Sequence, residues 1–583
     1  MQFPVSSASA GACVALLSCW LMMLAGTVAA QTSSPMVERF YGQQQNTMEV
    51  DFPVGVPSNY GYLPLHVTLA NGGSQPARWA MTVVPHGSYD NVIKDQTFQF
   101  DVGPGETIER ALLISGGHQR MSHSYSNHMQ LLVIPPQVRD MDHRSVRVSG
   151  MGRRSGSTTP DAPILIGPGA ERKLYNDVDG DYVHSLVLAK APEDWRGYSQ
   201  FGSIVLSDDD WQAMEPAARL AIADWTRFGG RLQILGNAPT PSLPAVDEED
   251  GAARSFGAVY VATLEEEDER HTLSKLQAIR TMGAPHHRNV EFQGRPLEDA
   301  ISRNFISNWS GEVAEMLNSS KNDSWVMLLV LIAFVVMVAP VNLFFLAPSD
   351  RRHRLFITTP LISLGAAGIL ILGVILADGI GGSGHRLVWV ESGGEDENRQ
   401  FIQQWQVSNS GALLGSGFTI QDMALIAPMT GVETAASLDV GADRSQASGG
   451  WFSSRTVQAH HLRATRPGRG RLEWAGGSAA ATSTFDFPID TVYATHDGQT
   501  WWRATEVLQG EPIHFEEVEE SEVFETLKKA TAEYPDMIGH TAAEFARRPG
   551  YFIAMTEQVP AIETLGSIRW KDFGIISGPI VRP

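Results

Sequence analysis

The chain has 583 residues, a formal charge of -21 and only two cysteines. That length exceeds one compact domain, and the charge excludes a nucleic-acid partner, because phosphate binding needs Lys and Arg clustered on the scale of a domain. Cys13 and Cys19 both lie in the first 30 residues, so the chain beyond residue 30 has no disulfide staple, thiolate nucleophile or cysteine-based metal site.

Residues 1–30 read as a secretory signal: an apolar run from Ala12 to Leu24 precedes Val28, Ala29 and Ala30, which suit cleavage before Gln31. No Lys or Arg opens the segment, which leaves an uncleaved anchor open. Across 31–150, short apolar runs alternate with turns such as Asn71-Gly72-Gly73 and Gly103-Pro104-Gly105, the spacing of an immunoglobulin-like β-sandwich. Gly, Ser, Thr and Arg then dominate from Met151 to Pro160, as in a linker.

An α/β pattern is expected over 162–285. Strand-like runs end at Ile166, Leu188 and Leu206. Ser207 then caps a helix with Trp211, Met214, Leu220, Ala221, Trp225 and Phe228 at helical spacing, and Gly229-Gly230 stops it before Arg231 to Leu235 returns as a strand. The stretch IVLSDDDWQAMEPAARLAIADWTRFGGRLQILG is similar to the strand, helix, Gly-Gly, strand unit of class I glutamine-amidotransferase-like (flavodoxin-like) domains in uncharacterised bacterial membrane proteins. The catalytic members of that superfamily need a cysteine at a strand-to-helix elbow, and this chain has none there. The resemblance therefore implies a binding or assembly module.

Leu297, Ile301, Phe305, Trp309, Val313 and Met316 suggest an amphipathic juxtamembrane helix over 296–324. Two apolar runs, 325–346 and 355–377, have the length of transmembrane helices, and the loop 347–354 carries Arg351, Arg352 and Arg354. By the positive-inside bias these arginines set the topology: the loop faces the cytoplasm, and both large regions lie on the periplasmic side of an inner membrane. Residues 378–583 read as a second exported, β-rich domain. Its clearest element is TVYATHDGQTWWRAT, two runs about a turn, and Val523, Phe524, Leu527 and Ala530 add a short helical stripe. The fold class expected is a multidomain α+β membrane protein: β-sandwich, flavodoxin-like α/β domain, two-helix transmembrane hairpin and β-rich domain.

Three groups stand out as candidate sites. Ser207, Asp208 and Asp209 fall at the carboxyl edge of a parallel sheet, where α/β folds bind ligands; the competing reading makes Ser207 and Asp210 a capping pair with acids suited to the helix dipole. Arg463, Arg466, Arg469 and Arg471 form a basic patch suited to an acidic glycan, lipid headgroup or protein partner, or else a solvated hairpin tip. Asp177, Asp179 and Asp181 mimic a calcium loop but lack its spacing, and His118, His123 and His128 match neither a helix face nor a strand face. The adjacent pairs His286-His287 and His460-His461 are expected at the surface. No G-x-S-x-G, H-E-x-x-H or P-loop motif occurs.

A non-enzymatic, membrane-anchored envelope component is therefore expected, without metal or cofactor, its partners being the lipid bilayer and envelope proteins. The alternatives are a glycan or small-ligand receptor and a metal-dependent hydrolase. The oligomeric state is open.

Overall fold

The computed structural model describes residues 36–42, 45–54, 61–86, 96–115, 128–136, 144–149, 164–173, 183–236, 258–262, 331–347, 352–378, 380–394, 398–429, 436–441, 444–474 and 480–581. The signal segment, the linker 151–160, the acidic loop around Asp177, His118, His123, His286, His287, Arg351 and the juxtamembrane helix 296–324 lie outside them.

Two four-stranded antiparallel sheets make up the N-terminal part. One has the order Met36–Tyr41, Thr47–Phe52, Tyr62–Ala70, Thr107–Ser115; the other runs Gln96–Val102, Ala77–His86, His128–Ile134, Arg144–Ser149. Alternating apolar residues, including Leu65, Val67, Leu69, Trp79, Met81 and Val83, meet in one buried core. Asn71 fixes one corner, donating from Nδ2 to the carbonyls of Gln75, Val102 and Gly103.

Next comes a five-stranded parallel sheet of order Val183–Ser185, Ile164–Ile166, Ser203–Ser207, Arg231–Leu235, Ala258–Ala262. The strands Ser203–Ser207 and Arg231–Leu235 are buried nearly throughout, as a sheet covered on both faces requires. The helix expected from Ser207 to Phe228 is two helices, Asp208–Ala213 and Pro216–Arg227. Pro216 sits in the first turn of the second, and the residue before a proline is driven out of helical geometry. The break turns Leu220 to the surface, while Ala218, Ala221, Ile222 and Trp225 are buried.

The C-terminal part is built on a nine-stranded sheet. From one edge its strands are Met423–Pro428, Val457–Pro467, Arg399–Ser410, Gly382–Ser392, Ile568–Pro579, Tyr551–Thr556, Ile489–Thr495, Trp501–Val507 and Glu516–Val518. The first and last long strands of this part, Gly382–Ser392 and Ile568–Pro579, are neighbours and run parallel; every other pairing is antiparallel. Successive residues serve opposite faces. Val388 and Val390 join the core shared with the parallel sheet, and Leu387 and Trp389 join a second core with the helices Glu520–Ala530 and Asp536–Ala546. The turn at His496-Asp497-Gly498-Gln499 joins Ile489–Thr495 to Trp501–Val507. Asp497 accepts from the N–H groups of Thr500 and Gln499, which hold its carboxyl down at about 2, and Gly498 takes φ +73°.

Several polar contacts fuse these parts, Lys190 with Asp51 and Arg227 with Glu391 among them. The fully buried guanidinium of Arg196 is chelated by Asp194, with Nη2 to Oδ2 at 2.6 Å, and donates to the carbonyls of Ala424 at 3.3 Å and Gly441 at 2.9 Å. Arg399 forms a bidentate pair with Asp224 on the helix Pro216–Arg227. Tyr62 of the N-terminal part accepts from Ile426 N through its hydroxyl at 3.3 Å, while its own N–H donates to Ser199 Oγ at 2.9 Å.

The transmembrane hairpin and multi-pass inner-membrane placement expected for 325–377 are overturned: among the described residues no helix is long and apolar enough to cross a membrane. In the first run only residues from 331 onward are described, and Met337–Leu346 is wound as a π-helix with Pro340 inside it. The flavodoxin-like label is likewise unsupported. Of the described connections between parallel strands, only the one carrying Pro216–Arg227 holds a helix of more than two turns, and Val183–Ser185 leads to Ser203–Ser207 through the 3₁₀ turns Leu188–Lys190 and Trp195–Tyr198.

Candidate functional site

Ser207 ends its strand at the carboxyl edge of the parallel sheet and caps the helix Asp208–Ala213. Its Oγ accepts from Asp210 N at 3.1 Å, and Asp210 Oδ2 accepts from Ser207 N at 2.9 Å. The buried Asp210 carboxylate also accepts from the N–H groups of Gly169 at 2.7 Å and Ala170 at 2.8 Å. Those amides belong to the short helix Pro168–Lys173 that follows the neighbouring strand Ile164–Ile166, at the point where strand order reverses, the usual ligand crevice of such sheets. Here the chain's own carboxylate takes the amides an anionic ligand would use. A Cβ on Gly169 would stand 2.2 Å from Ser207 Oγ, so this edge is packed closed. Asp208 lies against Gly236, and Asp209 is exposed. Among the described residues no group of three or more His, Cys, Asp or Glu is arranged to hold a metal ion.

The arginine cluster is dispersed. Arg463 and Arg466 lie three apart on the strand Val457–Pro467 and so face opposite sides of the sheet. Arg466 is bidentate to Asp422, at 2.9 and 2.8 Å, and also reaches the Pro560 carbonyl at 3.1 Å. Arg471 pairs with Glu473 at 2.6 Å, and Arg469 is exposed. Such pairing ties strands and loops together and does not gather one basic surface.

Two groups escaped sequence reading. His460 and His461, expected at the surface, are each 1% exposed. His460 Nε2 lies 2.9 Å from the Trp451 carbonyl, whereas the His461 ring stacks on Trp405 with centroids 5.0 Å apart. Burial, aided by the Arg463 charge, pushes the His461 pKa well below its ordinary 6.5. Second, Arg386 is buried in the strand Gly382–Ser392 with its guanidinium 4.3 Å over the Trp570 ring, beside Glu563 at 3.3 Å and Asp572 at 3.9 Å. Burial raises the Asp572 carboxyl in spite of Arg386. A polar residue in a strand reads as solvent-facing unless both faces of the sheet are known to be covered.

Of the arginines assigned to topology, Arg352 and Arg354 adjoin an exposed apolar feature. Arg352–Arg354 form a 3₁₀ turn, exposed, between Met337–Leu346 and Leu355–Asp378. Asn342, fully buried, donates from Nδ2 to Thr359 Oγ1 at 2.9 Å and locks the two helices together. Around this bond the side chains turn outward: Phe344 is 71% exposed, Phe345 79%, Phe356 85% and Leu364 72%. Large apolar side chains exposed together on one ordered element often mark an interaction site.

No family model matches the chain, and no curated protein matches it. Among solved structures it is similar to a calcium-binding mutant of beta-glucuronidase 2 from Bacteroides uniformis, at 8% identity over 43% of this chain and 32% of that one, with a TM-score of 0.15. This chain thus spans about a third of that enzyme's length. It is also similar to a cycloisomaltooligosaccharide glucanotransferase from Paenibacillus sp. (9% identity, 74% and 70% covered, TM-score 0.18) and to a beta-D-mannosidase from Dictyoglomus thermophilum (9%, 83% and 75%, 0.14). Likenesses at these scores carry no argument.

Two outcomes are expected of the buried polar groups. Asp210→Ala strands three backbone N–H groups and is expected to cost roughly 3 kcal/mol or more in urea unfolding; a loss below about 1 kcal/mol would contradict the role given to this carboxylate. His461, and His184 at about 4, titrate below the ordinary value because burial disfavours their charge. The unfolded chain therefore takes up protons first as pH falls through about 6.5, and stability drops by up to about 1.4 kcal/mol per pH unit for each such histidine. Asp572, shifted upward, works in the opposite direction and offsets part of this below neutral pH. His461→Phe keeps an aromatic ring on Trp405 and is expected to remove one histidine's share of the slope between pH 6.5 and 5; an unchanged slope would refute the assignment.

Proposed function

We propose that the protein is a non-enzymatic interaction component: a rigid body, fused from three sheet-built parts, that offers a locked helical hairpin to a protein partner. The observation that supports this reading is the exposure of Phe344, Phe345, Phe356 and Leu364 on a hairpin whose buried Asn342 side chain is spent on holding the two helices together. Large apolar side chains left in water on an ordered element are characteristic of docking surfaces. The receptor reading loses its ground at the parallel-sheet edge, where Asp210 occupies the amides a ligand would need. The basic cluster around Arg463 contributes through internal pairing, with Arg469 as its exposed member.

The test is photocrosslinking in cells of the full-length chain carrying a benzophenone side chain at Phe345 or, separately, at Phe356, with Leu508, an exposed residue on another part of the surface, as control. The reading expects a discrete adduct of fixed mass from both hairpin positions and none from position 508. A diffuse smear, or equal labelling at all three, would refute it.

A further inference from the structure

We infer that His461 is an acid-released latch: protonation of its ring loosens the edge strand Met423–Pro428 and, through that strand, the seam joining the C-terminal part to the parallel sheet and to the N-terminal part. Such a latch does not depend on what the hairpin binds.

Two adjacent histidines on the strand Val457–Pro467 are treated differently. His460 uses both ring nitrogens, Nε2 donating to the Trp451 carbonyl at 2.9 Å and Nδ1 accepting from Gln406 Nε2 at 3.4 Å. His461 is equally buried, at 1% exposure, yet neither of its ring nitrogens has a hydrogen-bond partner among the described residues. One face of its ring is covered by Trp405, stacked at 15°. A neutral imidazole held in this way forgoes one donor and one acceptor, whereas a protonated one would carry two unmet donors and a charge into the core.

Nothing near His461 compensates that charge. On its face of the sheet the flanking strands present Trp405 and Gln403 on one side and Ala427 and Leu425 on the other, and its own strand presents the cation of Arg463. Among the described residues no carboxylate acts on the ring, and the helices Glu520–Ala530 and Asp536–Ala546, which close the core containing Trp405, add none. His66, at the seam with the N-terminal part, differs in facing Asp51, whose charge favours its proton.

Position turns this burial into a latch. Met423–Pro428 is the edge of the nine-stranded sheet, and in its ladder with Val457–Pro467 the partner of His461 is Ala427. The other edge of the same strand is where the remaining parts attach: the Ala424 carbonyl accepts from Arg196, and Ile426 N donates to the Tyr62 hydroxyl. The strand therefore lies between the buried ring and both seams. While the seam is closed, burial and Arg463 keep the ring neutral; once it opens, the ring takes up a proton near its ordinary 6.5. Below that pH the ratio of open to closed chains grows by up to about tenfold for each pH unit.

Double electron–electron resonance on the full-length chain tests this, with spin labels at Leu220→Cys on the helix Pro216–Arg227 and Leu508→Cys in the C-terminal part, both exposed positions, and with Cys13 and Cys19 changed to Ser. The expected result is one narrow distance distribution at pH 7.5 and a second, longer and broader population at pH 5 that disappears on return to pH 7.5, with unchanged far-ultraviolet circular dichroism. His461→Phe, or His461→Leu should the larger ring not fold, is expected to keep the narrow distribution at both pH values, while His66→Gln and His184→Phe retain the acid response. A single narrow distribution at both pH values in the native chain overturns the latch, as does an acid population that persists without His461. Loss of the dichroism signal together with the distance change would assign it to general acid unfolding and also overturn the latch.

Discussion

The most deeply buried charge in the seam between the parallel sheet and the nine-stranded sheet is the Arg196 guanidinium, set beside a shared apolar core. Arg196 has no exposed surface, and its charge is met by Asp194 on its own 3₁₀ turn and by two carbonyls, Ala424 and Gly441, of the C-terminal part. An arginine buried in this way is stable only while every partner stays in place, since loss of one leaves a desolvated charge uncompensated. The geometry of that turn therefore fixes where the strand Met423–Pro428 lies relative to the helix Pro216–Arg227. The pair Arg399 and Asp224 and the stack of Phe228 on Phe401, with centroids 5.8 Å apart, extend the same seam. The N-terminal part joins through Tyr62, whose hydroxyl and backbone reach the other two parts at once.

Local chemistry was legible wherever one turn or one pattern decided the structure. The capping of Asp208–Ala213 by Ser207, the turn around Asp497-Gly498 and the stripe with Val523 and Leu527 on one buried face all follow from short-range rules. Pro216 shows the limit of periodicity: Trp211 and Trp225 fit one helical face by spacing alone, yet the proline divides the segment and the two residues reach the core from separate helices.

What escaped the sequence depends on what covers each face. The nine-stranded sheet is covered on both sides, so Arg386, Gln404, His460 and His461 are buried although each looks solvent-facing beside its apolar neighbours. The same ambiguity produced the transmembrane reading of 325–346 and 355–377. Apolar length alone does not say what a helix pair packs against, and Asn342 bonded to Thr359 inside the pair is one detail that hydropathy does not weigh. The arginines near Arg463 misled by clustering along the chain, while strand geometry sent Arg463 and Arg466 to opposite faces.

The central claim is that the parallel sheet and the nine-stranded sheet form one cooperative body through Arg196. Native-state hydrogen exchange tests it most directly, comparing peptides spanning 203–207 and 231–235 with peptides spanning 399–410 and 457–467, in the native chain and in Arg196→Met. One cooperative body predicts similar opening free energies in the native protein and a common fall of about 3–5 kcal/mol in the variant. Unequal free energies in the native chain, or a fall confined to one set of peptides, would contradict it.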